Sequence, residues 1–409
     1  MAIRPIIASL SRHRIAALLI VFEIALAFAI VGNAVFLIRE RLQRMDIVSG
    51  VAERELVVVQ MAYIGHQTDA DARARTDLAA LRQIPGVRAA ALIDQLPFGS
   101  SSSNGGIALH PDQQQPTLNA SEYFGKNILS TLGVRLIAGR KFLPDEYIDL
   151  GAATAALNSG NAKLLPHSVI ITRGLAERLW PGQQALGRSI YLGAAIRLQV
   201  VGIVDRLVRP NQFHEGADYS LVLPLRVNLQ DGAQFVIRCA PQDRERVLKA
   251  AVATLKRIDP NRVLLHQRTF EQIRHAYFQN DRAMAGILAG VIAALLLTTA
   301  FGIAGLASFW VQQRTRQIGV RRALGARRVD ILRYFQTENF LLATVGIALG
   351  CAAAIGINVW LMAHYAVPRL PIVYLPIGAV ALWLLGQLAV LGPALRAARV
   401  PPTMAMRAA

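Results

Sequence analysis

Cysteine is almost absent from this chain: Cys239 and Cys351 are the only two in 409 residues. That excludes a scaffold held by internal disulfides. Charge is scarce, at 17% of residues, and unbalanced: 44 Lys+Arg face 26 Asp+Glu, a formal net charge of +18. Lysine supplies five of the basic residues and arginine the other 39. Reactive clusters are missing as well. The eight histidines never form an H-E-x-x-H pair, and His214-Glu215 reads as a lone surface dyad in a loop. There is no G-x-S-x-G. Gly125-Lys126-Asn127 comes nearest to a phosphate-binding loop, but it lacks the glycine spacing and the Ser/Thr that would hold Mg²⁺. No catalytic, metal or cofactor-binding set emerges, so ATP hydrolysis by this route is excluded. The 54% apolar content excludes disorder.

What the chain has in quantity is long apolar runs. Four stand out: 15–38, interrupted only by Glu23, then 283–311, 339–363 and 370–395. They hold 24, 29, 25 and 26 residues, and a helix needs roughly 20 to cross the hydrocarbon layer. Gly32-Asn33-Ala34 resembles a signal-cleavage site, but the apolar run continues past it to Ile38, too long for a signal core. The arginines set the orientation. Arg4, Arg12 and Arg14 precede the first run, seven arginines crowd 312–333, and Arg396, Arg399 and Arg407 follow the last run, while the link between the third and fourth runs has only Arg369. By the positive-inside rule the termini (1–14 and 396–409) and the 312–333 segment are cytoplasmic, and 39–282 lies outside. Topology thus explains much of the basic excess, and nucleic acid is not implied as a partner.

The 39–282 insertion, with 30 basic and 23 acidic residues, alternates strand and helix signals, so the expected class is a four-helix integral membrane protein with a large mixed α/β extracytoplasmic domain. Strands are expected at 56–61, 168–172, 197–204, 234–240 and 263–266. Helices are expected at 69–84 with Asp69 as N-cap, from Ser121-Phe124 to Gly133, up to Trp180, and at 242–258. Ser100–Ser103 with Asn104-Gly105-Gly106 reads as a flexible loop. A split into two subdomains is expected near 142–167. Residues 39–48 extend the first helix, and 269–282 runs into the second without a breaker, so two helical stalks carry the domain.

Small residues recur every fourth position at Gly286, Gly290, Ala294, Thr298 and Gly302, and again at Gly346, Gly350 and Ala354. Such faces allow close helix packing in lipid. We expect a subunit interface on the second helix, with packing inside one bundle as the alternative. Glu23 is read as a structural carboxyl in a helix interface rather than a proton relay, because the other runs offer few polar partners: Asn339, Asn358, Gln387 and His364.

The most specific stretch is Gln313–Tyr334, QRTRQIGVRRALGARRVDILRY. It reads as a helix, a stop at Gly325 and a restarted helix, with Ile318, Leu324, Val329 and Leu332 available to pack. A basic loop lying on anionic lipid would account for the arginines, but not for Ile318-Gly319 or Ala323-Leu324-Gly325-Ala326. The stretch resembles the MacB/FtsX-type permeases of ABC transporters, whose corresponding segment runs like E-R-T-R-E-I-G-I-R-x-A-x-G-A. The resemblance extends to Tyr123-Phe124, to Ala138-Gly139-Arg140-Lys141-Phe142, to the 170–204 block with Trp180-Pro181, and to the Pro393–Val400 tail followed by Pro402 and Ala405-Met406-Arg407.

The resemblance implies a dimeric inner-membrane permease that binds a separate cytoplasmic ATPase, which holds the ATP and Mg²⁺; no cofactor is implied in this chain. The coupling residues it implies are Arg314, Arg316, Gln317, Ile318, Gly319, Arg321, Ala323, Leu324, Gly325, Ala326 and Arg327. It implies export or mechanotransmission, with a second permease copy or a related permease as partner, lipid around it, and room for a periplasmic adaptor and an outer-membrane channel. Gln313 and Gln317 replace family glutamates. A non-transporting envelope sensor would share this topology, and a proton-coupled carrier built on Glu23 is the third reading.

Overall fold

The computed structural model describes residues 14–65, 67–161, 164–193, 196–211, 216–365 and 369–399. His214-Glu215, Arg4, Arg12 and the tail motif from Pro402 lie outside them. In chain order the helices are α1 (Arg14–Met45), α2 (Ala70–Arg82), α3 (Ile128–Leu132), α4 (Leu150–Asn158), α5 (Arg173–Leu179) and α6 (Arg244–Ile258). They continue with α7 (Phe270–Tyr277), α8 (Gln279–Gln313), α9 (Thr315–Ala323), α10 (Arg328–Tyr365) and α11 (Tyr374–Ala398). The strands are β1 (Leu56–Ala62), β2 (Val87–Ile93), β3 (Asn104–Ala108), β4 (Leu118–Phe124), β5 (Leu136–Gly139), β6 (Ile148–Asp149) and β7 (Ser168–Thr172). Then come β8 (Ser189–Leu192), β9 (Ile196–Val204), β10 (Ser220–Leu223), β11 (Leu225–Arg226), β12 (Gln234–Cys239) and β13 (Val263–Thr269). Two compact units result: one runs to Asp46 and resumes at Asn280, and the other is Ile47–Gln279.

In the first unit α1, α8, α10 and α11 are long and apolar enough to cross a membrane. Even the 25 residues of α11 rise about 37 Å. Helix α10 packs closely on α1 because glycine faces bulk. A β-carbon at Gly346 would lie 2.9 Å from Ile24, and one at Gly350 would lie 2.7 Å from Phe28. Polar side chains tie the helices through backbone carbonyls. Asn33 Nδ2 donates to Ala354 O at 3.1 Å, and Gln387 Nε2 donates to Gln336 O at 3.2 Å. Asn358 Oδ1 accepts from the N–H of Leu370 at 2.9 Å. These bonds serve helix packing.

The inserted unit is built on two main sheets, with β11 and β6 forming a further two-stranded pair. One is four-stranded and antiparallel, in the order β13-β1-β12-β2; the other is seven-stranded and mixed, β5-β9-β7-β10-β4-β3-β8. Helices α2 and α6 cover one face of the four-stranded sheet, where Val57, Val59, Phe235 and Ile237 meet Val247, Ala251 and Leu255, spaced four apart on α6. Strand β9 alternates, burying Leu198, Val200 and Val204 while Arg197 and Gln199 face out. Central β7 is buried throughout. The join between the sheets is polar. Asp94 Oδ1 accepts the N–H of Phe124 at 2.8 Å, and buried Gln95 donates to Ser121 Oγ at 3.0 Å and to Glu122 O at 2.8 Å. Burial pushes the Asp94 carboxyl up to about 8 against the pull of its backbone hydrogen bonds, and it raises Glu122 as well.

Several expectations change. Asn104-Gly105-Gly106 opens strand β3 rather than a loop. A side chain at Gly105 would run into the Glu122 carboxylate, and a β-carbon at Gly106 would lie 2.9 Å from the Pro116 ring. Here glycine marks close approach, not flexibility. Ser121–Phe124 belongs to β4, and the short helix starts only at Ile128, ending at Gly133 with φ +74°. Asp69 precedes α2 but makes no cap bond, because its carboxylate turns to Arg73 Nε at 2.9 Å. The boundary between subdomains is not at 142–167. The segment 104–223 builds the second sheet, and β12 and β13 return to flank β1, because strand pairing ignores distance along the chain. The helical path 269–282 is broken at Phe278 (φ −90°, ψ 12°), whose buried ring joins an aromatic cluster with Phe98.

Candidate functional site

The link between α8 and α10 is a tight helical hairpin. Helix α9 ends as its composition demands. Gly325 has φ +96°, the N–H of Ala326 donates to Arg321 O at 3.1 Å, and that of Gly325 donates to Arg322 O at 3.1 Å. These two bonds satisfy the last carbonyls of α9 in a Schellman closure. Helix α10 then starts with Asp330 reaching back, its Oδ2 accepting the N–H of Arg327 at 3.0 Å, which caps the new N-terminus and suits the helix dipole. The expected order of helix, glycine stop and helix is what the backbone shows.

The hairpin is anchored by a buried ion pair. Arg314 Nη1 lies 3.1 and 3.0 Å from the two carboxylate oxygens of Glu338. Both residues are buried, with Glu338 1% exposed. The guanidinium also stacks 5.7 Å from the Trp310 ring, and Arg321 lies 5.1 Å over Tyr334. Breaking a buried pair leaves one charge uncompensated, at roughly 3–5 kcal/mol. Glu338 was not among the expected coupling residues. Its signal was there: it is the last carboxylate of the chain, directly abutting an apolar run, and such a group requires a partner.

The expected coupling residues divide by exposure. Arg314, Ile318 and Gly319 are buried and hold the hairpin. Arg316, Gln317, Arg321, Ala323, Leu324, Gly325 and Arg327 are exposed, as are Gln313, Arg328 and Arg333; Arg322 and Ala326 are half-buried. Among the side chains expected to pack, Leu332 is half-buried, but Leu324 is 83% exposed and Val329 51%. Val320 is half exposed. The outer surface therefore presents apolar side chains within a ring of arginines.

The small-residue stripes also divide. Gly346 and Gly350 are used within the chain. Gly302 faces Glu23, whose carboxylate oxygens lie 2.5 Å from where a β-carbon would stand. Gly286 and Gly290 have no atom within 4 Å of that position, and Ala294 is exposed. Among the described residues no group of His, Cys, Asp and Glu could hold a metal. The hairpin thus combines a buried ion pair with an exposed basic and apolar surface.

Four spanning helices, an inserted α/β unit and a braced polar hairpin define a membrane permease. Comparison with known proteins agrees. The family described as MacB-like periplasmic core domain matches residues 17–255, and that described as FtsX-like permease C-terminal matches 289–402. The chain belongs to the MacB/FtsX-like family of ABC transporter permeases and is a multi-pass membrane protein. It is 28% identical over 251 residues to the macrolide export ATP-binding/permease protein MacB of Escherichia coli, covering 59% of this chain and 38% of that protein. With the uncharacterized ABC transporter permease YvrN of Bacillus subtilis it shares 26% over 253 residues, covering 58% of this chain and 61% of the other. The chain thus spans less than two thirds of these relatives. The periplasmic region of MacB from Actinobacillus actinomycetemcomitans aligns over 57% of this chain and 97% of its own, with TM-score 0.34 and 12% identity.

Proposed function

We propose that this chain is the permease subunit of an ABC-type export or mechanotransmission complex, and that a separate cytoplasmic ATPase docks on residues 313–333. ATP and Mg²⁺ are held by that partner. The observation that carries the reading is the Arg314–Glu338 pair. It locks the start of α9 to the side of α10, so a push on the exposed Val320, Leu324 and Val329 surface displaces α8 and α10 together. The arginines around that surface suit an acidic rim on the ATPase. In this reading both termini are cytoplasmic, which the arginine distribution supports. A second permease copy lies along the open Gly286, Gly290 and Ala294 face. An adaptor and an outer-membrane channel would engage the inserted unit.

Co-purification with the ATPase tests the docking. Val320→Asp and Leu324→Asp, both on exposed side chains, should abolish co-purification while the permease inserts and folds normally. Undiminished co-purification of both variants would sink the assignment of this surface. A cysteine at the exposed Ser102 should react with an impermeant reagent in cells whose outer membrane alone is opened; reaction only after inner-membrane rupture reverses the topology. ATP-dependent accumulation of a substrate in inverted vesicles would separate an exporter from a non-transporting sensor.

A further inference from the structure

The inserted unit holds a cavity of about 280 Å³ that the coupling mechanism leaves unused. It lies on the face of the four-stranded sheet opposite α2 and α6. Strand register builds its floor: Val58 pairs with Arg268 and Gln60 with His266, so alternate side chains of β1 and β13 point the same way, and Gln234 of β12 completes the row. Helix α7 forms one wall with Ile273 and Tyr277, and the turn after β2 forms the other.

That second wall is preformed at a cost. The N–H of Gly99 donates to Leu96 O at 3.0 Å, closing a turn with Pro97 and Phe98 at its centre. Phe98 has φ +61°, at a position where glycine or asparagine is usual. Its ring is held 5.5 Å from Tyr277, 5.3 Å from Phe278 and 5.1 Å from the Arg274 guanidinium. A strained non-glycine residue held by its surroundings is a feature of ligand clamps. The floor carries an available cation; Asp94 also lines the cavity, and burial raises its carboxyl to about 8, so it adds little negative charge at neutral pH. Neighbouring Arg238, Arg244, Arg262 and Arg274 are each in ion pairs. Arg268 is exposed and has no carboxylate partner among the described residues. A guanidinium across from an aromatic wall favours a monoanion with an apolar body. The volume sits just below the usual range for ligand pockets, roughly 300–1,000 Å³, which suits one small molecule rather than a peptide or a lipid chain.

We propose that this cavity binds a small organic carboxylate bearing an aromatic or apolar body. The carboxylate pairs with Arg268, with His266 beside it, and the body lies against Tyr277 and Ile273. The two glutamines supply hydrogen bonds to any amide the ligand carries. The proposal is independent of ATPase docking. Calorimetry on the full-length protein in nanodiscs tests it, with benzoate, indole-3-acetate and N-acetyl-L-phenylalanine as probes and the corresponding neutral amides as controls. At least one acid should bind with a Kd of about 1 mM or tighter, and its amide about ten-fold more weakly. Arg268→Gln should weaken the acid about ten-fold and leave the amide unchanged. Ser101→Trp, at an exposed position on the rim, should fill the cavity and abolish binding of both. The proposal is overturned if no acid binds, if acid and amide bind equally, or if Arg268→Gln leaves the acid's affinity intact.

Discussion

Helices α8 and α10 carry the same four-residue spacing of small residues and use it differently. On α10 the glycines are filled from within the chain, by Ile24 and Phe28 of α1. On α8 the first two glycines face open space, and only the end of the helix, with Ile303, Ala307 and Trp310, enters the core. A small-residue stripe therefore specifies that some backbone comes close without naming whose. The same α8 is tied at its start by the Arg41–Asp281 ion pair and at its end, where Arg314 follows it and pairs with Glu338, while its Gly286 and Gly290 face lies open between them.

The contrast breaks most severely at the anchor. Arg314→Ala or Glu338→Ala should each destabilise the membrane unit by about 3–5 kcal/mol, since either leaves a buried charge alone. Thermal unfolding in detergent measures it, and a loss below about 1 kcal/mol would show the pair to be solvated. The glycines sharpen the contrast directly. Gly350→Leu should cost about 1–3 kcal/mol through overpacking against Phe28. Gly286→Leu should stay within about 0.5 kcal/mol in the isolated subunit, yet abolish disulfide cross-linking between copies carrying single cysteines along 278–294. Equal costs at both sites would mean that α8 is packed within its own chain.

At the hairpin, Gly325→Val should cost about 1–2 kcal/mol. The space is open, so the penalty comes from φ +96° alone. It should also reduce ATPase co-purification, and unchanged association would detach the closure from docking. A pH effect is expected outside the membrane helices. Burial raises the folded pKa of Asp94 from the ordinary carboxylate range to about 8. The folded state thus holds a proton that the unfolded state has released, and the associated stability is lost as pH rises from near 4 through 8. The inserted unit should melt roughly 10 °C lower at pH 8.5 than at pH 5.5. Asp94→Asn keeps the acceptor for the Phe124 N–H and should flatten that slope; a slope that persists belongs to another group.

Much of this protein could be read along the chain. The four spans are properties of contiguous residues, because a helix crosses a bilayer by length and apolarity alone. The Gly325 stop is likewise local, since positive φ selects glycine whatever surrounds it. So is the surface character of Arg316, Gln317 and Arg321, three charged or polar side chains within a turn or two. The remainder depended on residues far apart in sequence. Arg314 and Glu338 meet only because the hairpin folds α10 back beside α9. Phe98 tolerates its strained turn only because Tyr277 and Phe278 come to lie against it. Gly105 reads as a loop residue until β3 is laid against Glu122. Which stripe packs inside the chain and which stays open was decided by tertiary structure alone, because spacing encodes the shape of a surface and only the fold supplies the surface that meets it.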